Sequence, residues 1–457
     1  MKEYFMKISM RKAGVLFILI ITAITLITGC SKNDNQTKET AKNVEDSNTV
    51  TQSEEEKETT EQISEEKEGA KEVDNQGESK NIVVPEVNIK SYEVPQNDAM
   101  KFVADMKIGW NLGNTFDAFN DSANFTDELQ YESSWCGVKT TKEMITKLKD
   151  AGFQTIRIPV SWHNHLVDKD FTISETWLNR VQEVVDYAYD QDMYVIINIH
   201  HDIAEDYYYP DNKHLDNSTK YVKTIWNQLA DRFEKYGEKL IFESVNEPRL
   251  VGTDNEWWLD VNKDNCKEAV ECINQLNQTF VDTVRATGGN NSSRYLMVPG
   301  YDASADGALT DLYSVPKDLK ENEHKIIVSV HAYTPYNFAL QAPEESGNTS
   351  EFHADSAISQ KDINNFMDGL YNKYISQGIP VVIGEFGARD KNNNLQDRVD
   401  YAAFYIASAR ARGMIACWWD NNAFTGTGEN FGILDRKSLS FAYPDMVDAL
   451  MKYAENK

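Results

Sequence analysis

The chain has 457 residues, with 73 acidic against 46 basic side chains and a formal net charge of −27. Such a polyanion is a poor partner for nucleic acid, and its charge points to neutral or cationic ligands. Five cysteines (Cys30, Cys136, Cys266, Cys272 and Cys417) are too few and too scattered for a disulfide framework or a zinc site.

Residues 1–30 read as an export segment. Lys2, Lys7, Arg11 and Lys12 form a basic start, an apolar run covers 13–28, and the segment closes at Gly29-Cys30. The pattern resembles a bacterial lipoprotein signal, with cleavage before Cys30 and lipid on that thiol. It implies a mature protein anchored through Cys30 at the extracellular face of the cell membrane. A plain secretory signal with release, or a single membrane anchor, is the alternative. With Cys30 lipidated, the other four cysteines are expected as buried free thiols. Cys266 and Cys272 on one continuous helix would stand roughly 9 Å apart along its axis, too far to bridge.

Residues 31–94 read as a disordered acidic tether. They are rich in Glu, Lys, Asn, Thr, Ser and Gln, and the first aromatic after Cys30 is Tyr92. That composition cannot bury enough apolar area to offset its ordering entropy. Charge runs such as Glu54-Glu55-Glu56 extend it further.

From residue 95 to 457 strand and helix patterns alternate. Strands are predicted at 107–112, 154–160, 193–199, 240–246, 295–298, 325–330, 380–385 and 414–419. Thr140-Thr141-Lys142-Glu143 reads as a capping box opening the first helix, which stops at Ala151-Gly152. Further helices are predicted at 177–189, 221–236, 276–287, 362–376, 396–412 and 443–454. The fifth connection, 302–323, shows only a short helical stretch at 316–319. Eight strand–helix units predict an α/β fold of the (β/α)8 TIM-barrel type, with its site where strands run into helices.

Two strands end in a glutamate. Val245-Asn246-Glu247-Pro248 closes the fourth, where the proline holds Glu247 extended, and Gly384-Glu385-Phe386-Gly387 closes the seventh. A barrel would bring these carboxylates together, and such a pair is the reagent set of a glycosidase. Arg157, flanked by Ile156 and Ile158, should point into the barrel and requires an anion there. Adjacent His200 and His201 should face opposite ways, which disfavours a metal and leaves His200 as the better pocket residue. His331 and Tyr333 share one face by the period of two and are placed to hold a glutamate. In Trp418-Trp419-Asp420-Asn421 one indole should face the pocket while its neighbour packs outward, and nearby polar groups can bind hydroxyls. Trp110-Asn111, Trp135, Trp162, residues 207–209, Trp257, Trp258 and Phe424 add aromatics near the strand tips, as suits a cleft for several sugar units.

In order along the chain stand Gly109-Trp110-Asn111-Leu112-Gly113-Asn114, Arg157-Ile158-Pro159-Val160, His200-His201, Val245-Asn246-Glu247-Pro248, His331-Ala332-Tyr333, Gly384-Glu385-Phe386-Gly387 and Trp418-Trp419-Asp420. This set resembles glycoside hydrolase family 5, a group of retaining β-glycanases that includes many endoglucanases. The resemblance implies Glu247 as general acid/base and Glu385 as nucleophile, with Arg157 and Tyr333 holding Glu385. It also implies Asn246 on the sugar 2-hydroxyl, His200 and His331 lining that subsite, and Trp419 stacked under the sugar. Asn111, His201 and Asp420 join the expected substrate-binding set. On the mechanism so implied, Glu385 is ionised and selected by Arg157, while Glu247 is protonated. The expected protein is a monomeric cell-surface endo-β-1,4-glucanase acting on cellulose-like glucan, mixed-linkage β-glucan or xyloglucan, without cofactor or metal. A β-mannanase, or a surface glycan binder without catalysis, is the alternative.

The export reading has a direct check. Cys30→Ala should abolish labelling by a radioactive lipid precursor and leave the protein in the medium or as an unprocessed precursor. Undiminished labelling would overturn it.

Overall fold

Eight parallel strands pair in sequence order, and the last closes on the first. They are β1 (Gly109–Leu112), β2 (Thr155–Ile158), β3 (Tyr194–Asn198), β4 (Leu240–Glu243), β5 (Leu296–Ser304), β6 (Ile326–His331), β7 (Val381–Phe386) and β8 (Ile415–Asp420). Each predicted strand is present, so the chain is a (β/α)8 barrel. The computed structural model describes residues 81–455 apart from 121, 123, 124 and 427. Cys30 and residues 31–80 lie outside the described residues. Among the described residues no helix is long and apolar enough to cross a membrane.

Helix α1 (Asp98–Asp105) precedes the barrel and was not predicted. Asn97 starts it, accepting from Met100 N at 2.8 Å. Its Ala99, Phe102 and Val103, with Met106, join Tyr194, Ile196, Ile241, Tyr295, Met297, Ile327, Val382, Ile415 and Cys417 in one apolar cluster inside the strands. Phe102 stacks on Tyr295 with ring centroids 3.8 Å apart. These strand residues sit at the starts and middles of the strands, so α1 seals the barrel opposite the strand tips. Its brevity hid it: eight residues carry little periodic signal.

The outer helices are α2 (Lys142–Ala151), α3 (Glu175–Tyr189), α4 (Leu215–Arg232), α5 (Asp264–Ala286), the short α6 (Ala305–Leu309) and α7 (Tyr336–Ala339), α8 (Ala357–Lys373), α9 (Leu395–Ala411) and α10 (Pro444–Ala454). Several differ from expectation: α4 runs from 215 to 232 and not from 221 to 236, α8 starts at 357 and not at 362, and α7 was not predicted. The cap of α2 is Thr141, accepting from Met144 N at 3.4 Å, because the Thr140 amide is taken by Glu132 at 2.7 Å. Helix α5 begins at Asp264 because Cys266, Ala269, Val270, Cys272 and Ile273 prolong its buried stripe. The fifth connection forms α6 and not a helix at 316–319. Ser304 caps it, and Gly307 lies so near β5 that a Cβ there would meet Tyr301 O at 2.1 Å. Cys136, Cys266, Cys272 and Cys417 are free thiols, Cys136 half-buried and the others buried.

Residues 81–94, read by composition as the end of the tether, belong to the folded body. Ile82, Val84, Val87, Ile89 and Val94 pack against the core. Val83 exchanges two hydrogen bonds with Gln396, at 2.9 and 2.8 Å. Tyr92 donates to Asp368 and lies under the Arg412 guanidinium, 4.4 Å from its ring centre. Averaging over the acidic stretch masked this apolar spacing.

Chains starting at residue 81 and at residue 95 should therefore differ in thermal unfolding. Losing this apolar strap should lower Tm by roughly 4 °C or more with kcat little changed, as followed by calorimetry and glucan hydrolysis.

Candidate active site

The interior of the barrel changes character along the strands. Above the apolar cluster, Asn111 of β1, Arg157 of β2, Asn198 of β3, Glu243 of β4 and Ser329 of β6 are all fully buried. Burying a guanidinium requires that its donors be met. Arg157 Nε donates to Glu243 Oε2 at 2.8 Å, and Nη1 donates to Glu385 Oε1 at 2.7 Å and to Asn111 Oδ1 at 3.0 Å. Nη2 donates to Asn246 Oδ1 at 2.7 Å. Burial works against the charged form, and Glu243 and Glu385 more than offset it, so Arg157 stays protonated.

Glu243 escaped the sequence reading, which took it into an apolar run. It is held by Arg157, by Asn198 Nδ2 at 3.0 Å and by Ser329 Oγ at 2.6 Å. Its clue was parity, since it lies two residues after inward-facing Ile241. Glu243 is a fixed counter-ion beneath the site, leaving Glu385 as the upper partner of the arginine.

Glu385 reaches the cavity through a slip in register. β6 and β7 pair as Val330 with Ile383 and then His331 with Glu385. Ile383 and Phe386 both pack in the outer core, so Gly384 and Glu385 together fill the inward turn between them. Gly384 carries no side chain, and a Cβ there would come within 3.0 Å of His331 Nε2. Tyr333 Oη donates to Glu385 Oε2 at 2.9 Å. Each carboxylate oxygen thus has one donor, and the side chain is only 6% exposed.

Glu247 lies across from it. A Glu247 oxygen, a Glu385 oxygen and a His331 ring nitrogen all fall within 4.8 Å of one another. His331 Nδ1 is 2.9 Å from Glu247 Oε1, and Arg249 Nη1 is 3.6 Å from Oε2. Burial raises the Glu247 pKa, but His331 and then Arg249 and His201 outweigh it and bring it down to about 2. In the free site these cationic neighbours favour the charged form of Glu247, whereas the acid role expected of it requires the proton. His331 is shifted the other way, burial being outweighed by Glu385 and Glu247.

His200 and His201 both stand at the mouth, ring centroids 4.4 Å apart, because β3 ends at Asn198 and strand alternation stops there. Burial, His201 and Arg157 push His200 well down, and burial lowers His201 to about 4. The His200 ring lies parallel to Trp419, within 3°, with centroids 5.9 Å apart. Trp418 packs outward, donating to Phe431 O at 2.9 Å.

Two expected sugar ligands are instead framework. Asn111 is fully buried: its oxygen serves Arg157 and its Nδ2 donates to Gly384 O at 2.9 Å and Cys417 O at 3.2 Å. Asp420 accepts from Trp110 Nε1 at 3.1 Å and from the amides of Ile433 and Leu434 at 2.9 and 3.0 Å. Both lie below the surface that a ligand would touch. Among the expected aromatics, Trp110, Trp162 and Tyr208 are core, whereas Trp135, Trp257 and Trp258 are exposed. Trp135 sits with Phe119 and His201, and Trp258 with Tyr336, so the rim has two aromatic groups. Asp117, His200 and His201 also present atoms within 4.8 Å, but the Asp117 oxygens are engaged by the amides of Thr115 and Asn114, at 2.6 and 2.9 Å.

Residues 117–425 match the family described as Cellulase (glycosyl hydrolase family 5). Endoglucanase B of Ruminococcus albus is 43% identical over 360 residues, covering 78% of this chain and 81% of that protein. A mutant glycoside hydrolase 5 lichenase from Caldicellulosiruptor sp. F32, solved in complex with cellotetraose, is 63% identical with a TM-score of 0.81. That match covers 82% of this chain and 100% of the lichenase chain. A GH5-4 broad specificity endoglucanase from Ruminococcus champanellensis with bound cellotriose is 44% identical with a TM-score of 0.71, covering 79% and 100%.

Removing Glu243 should show what balances Arg157. Glu243→Ala leaves half of the arginine's anionic environment empty and should cost about 3–5 kcal/mol in urea unfolding, whereas Glu243→Gln should cost less.

Proposed function

The chain belongs to glycosyl hydrolase family 5, and from that membership we propose that it is a retaining endo-β-1,4-glucanase of mixed-linkage and cellulose-like β-glucans. The observation that carries this reading is the approach of Glu247 and Glu385, with oxygens within 4.8 Å and Arg157 bonded to Glu385 of the two. Retaining glycosidases hold their two carboxyls roughly 5–5.5 Å apart, leaving no room for an intervening water.

Glu385 is the nucleophile. Arg157 and Tyr333 hold it ionised and aimed, so that it attacks the anomeric carbon as the bond to the leaving oxygen breaks. Glu247 supplies the proton that this oxygen takes up. It then accepts a proton from the water that hydrolyses the glycosyl ester, which restores the configuration. Asn246 turns its oxygen to Arg157, leaving its amide nitrogen as the donor for the 2-hydroxyl. Trp419 offers the face on which the sugar stacks. The two aromatic groups on the rim offer further faces on which a long glucan chain can stack. Lipid on Cys30 would hold this domain at the cell surface. The likeness to a lichenase supports mixed-linkage glucan as the favoured substrate.

Azide separates the two roles. Glu385→Ala should lose hydrolysis of every substrate, by about 10⁴-fold or more, and with azide give a glycosyl azide of inverted configuration. Glu247→Ala should still be glycosylated by a dinitrophenyl cellobioside, and azide should then give the retained product. Exchanged configurations would reverse the assignment. On a polysaccharide panel, reducing-sugar release should be greatest with mixed-linkage glucan, and preference for mannan would overturn the substrate reading.

A further inference from the structure

The strand-tip loops place a third carboxyl against Arg249, the cation that also faces Glu247. Asp302 lies at the end of β5, where it and Ala303 take left-handed backbone, φ 55° and 44°. Its amide donates to Pro248 O at 2.8 Å, which ties this turn to the segment Glu247-Pro248-Arg249. Arg249 Nη1 is committed to the Glu247 carbonyl at 2.9 Å, and its guanidinium lies over the Trp257 ring, 4.0 Å from the centroid. That single cation faces three carboxylates, Glu247 at 3.6 Å, Glu256 at 3.7 Å and Asp302 at 3.9 Å, all longer than a hydrogen bond. Arg249 Nε and Asp302 Oδ1 are both buried without a hydrogen-bond partner among the described residues.

Glu247 has His331 as a close partner at 2.9 Å, whereas Asp302 has only Arg249 at 3.9 Å and no donor on its buried Oδ1, so an ionised Asp302 is poorly compensated and the proton of the pair rests there. The other groups facing the cluster are His331 and His201 toward Glu247, Glu385 across the cavity, and Glu429, Tyr208 and Tyr333 around it. Burial first, and then the charge of Glu247, raise Asp302 well above the usual carboxylate range, while Glu247 is lowered.

We propose that Asp302 is a positioning carboxyl for the acid step: it shares one proton with Glu247 and so keeps the pair protonated to higher pH than Glu247 alone could reach. This rests on the reading of Glu247 as acid/base. Two coupled acids titrate as a pair. The productive form, with Glu247 protonated and Asp302 ionised, stands in a ratio to the reverse form that does not depend on pH. On the alkaline side both are lost together, when the pair gives up its last proton. The side chains are 19% and 14% exposed, so the proton exchanges between them through solvent. The proton given to the leaving oxygen is replaced by one from the attacking water, and the cycle balances.

The test is kcat/KM against pH for Asp302→Asn, since asparagine suits left-handed backbone. Barley mixed-linkage glucan and 2,4-dinitrophenyl β-cellobioside are compared, the second needing no proton for departure. On glucan the alkaline limb should move to lower pH by about one unit or more, while the limb for the dinitrophenyl substrate stays in place. Asp302→Ser, smaller and uncharged, should give the same displacement. An unmoved glucan limb in both variants, or equal movement with both substrates, overturns the role of Asp302. Failure of the underlying reading looks different: the unmodified enzyme would then show one alkaline limb for both substrates.

Discussion

A permanently charged guanidinium in the middle of a closed barrel is the constraint around which this site is arranged. Arg157 has no exposed surface, and removing a cation from water costs several kcal/mol unless its donors are met. The protein meets them with five residues from four strands and their tips: Asn111, Glu243, Asn246, Glu385 and, at 3.4 Å, His331. Two of those partners are carboxylates, but only one is open to the cavity. Glu243 is sealed beneath the arginine, so the charge balance is set from below and Glu385 is presented above in a fixed orientation.

That arrangement depends on the barrel having two unlike ends. At one end α1 enters as an apolar plug with Phe102 on Tyr295, and water is excluded. At the other end the strands stop or slip, and their last residues leave the two-residue alternation. β3 ends at Asn198 just before the two histidines, β4 ends at Glu243 before Asn246 and Glu247, and β7 slips at Gly384-Glu385. Breaking the ladder there costs backbone pairing, but it lets successive residues face one cavity, which a regular strand forbids.

Charge is divided between the two carboxylates by separate cations. Arg157 serves Glu385 from inside the barrel, whereas His331 and Arg249 serve Glu247 from the strand-six tip and the loop after strand four. The second set lies nearer solvent, with Asp302 and Glu256 also facing Arg249. Framework roles fall to residues that resemble ligands in composition. Asn111 and Asp420 spend every side-chain oxygen or nitrogen on the protein itself, which keeps the walls in place without touching sugar.

The sequence by itself determined the eight strand–helix units, the glutamates at the fourth and seventh strand tips and the inward Arg157. These follow from local rules, namely alternation, caps, breakers and the intolerance of apolar surroundings for an unpaired charge. Ordered motifs added the family. Only the tertiary structure decided what faces what. Glu243 looked like part of an apolar run until side chains from three other strands surrounded it, and Asn111 and Asp420 looked like ligands until their partners from distant segments appeared. The folded strap at 81–94 was hidden because an average over an acidic stretch does not register spaced valines and isoleucines that find a core elsewhere. Helix α1 was hidden because its stability comes from the barrel end it closes and not from its own length. The protonation of Glu247 belongs to this second class, since it depends on the summed field of His331, Arg249, His201 and Asp302, which meet only when the barrel closes.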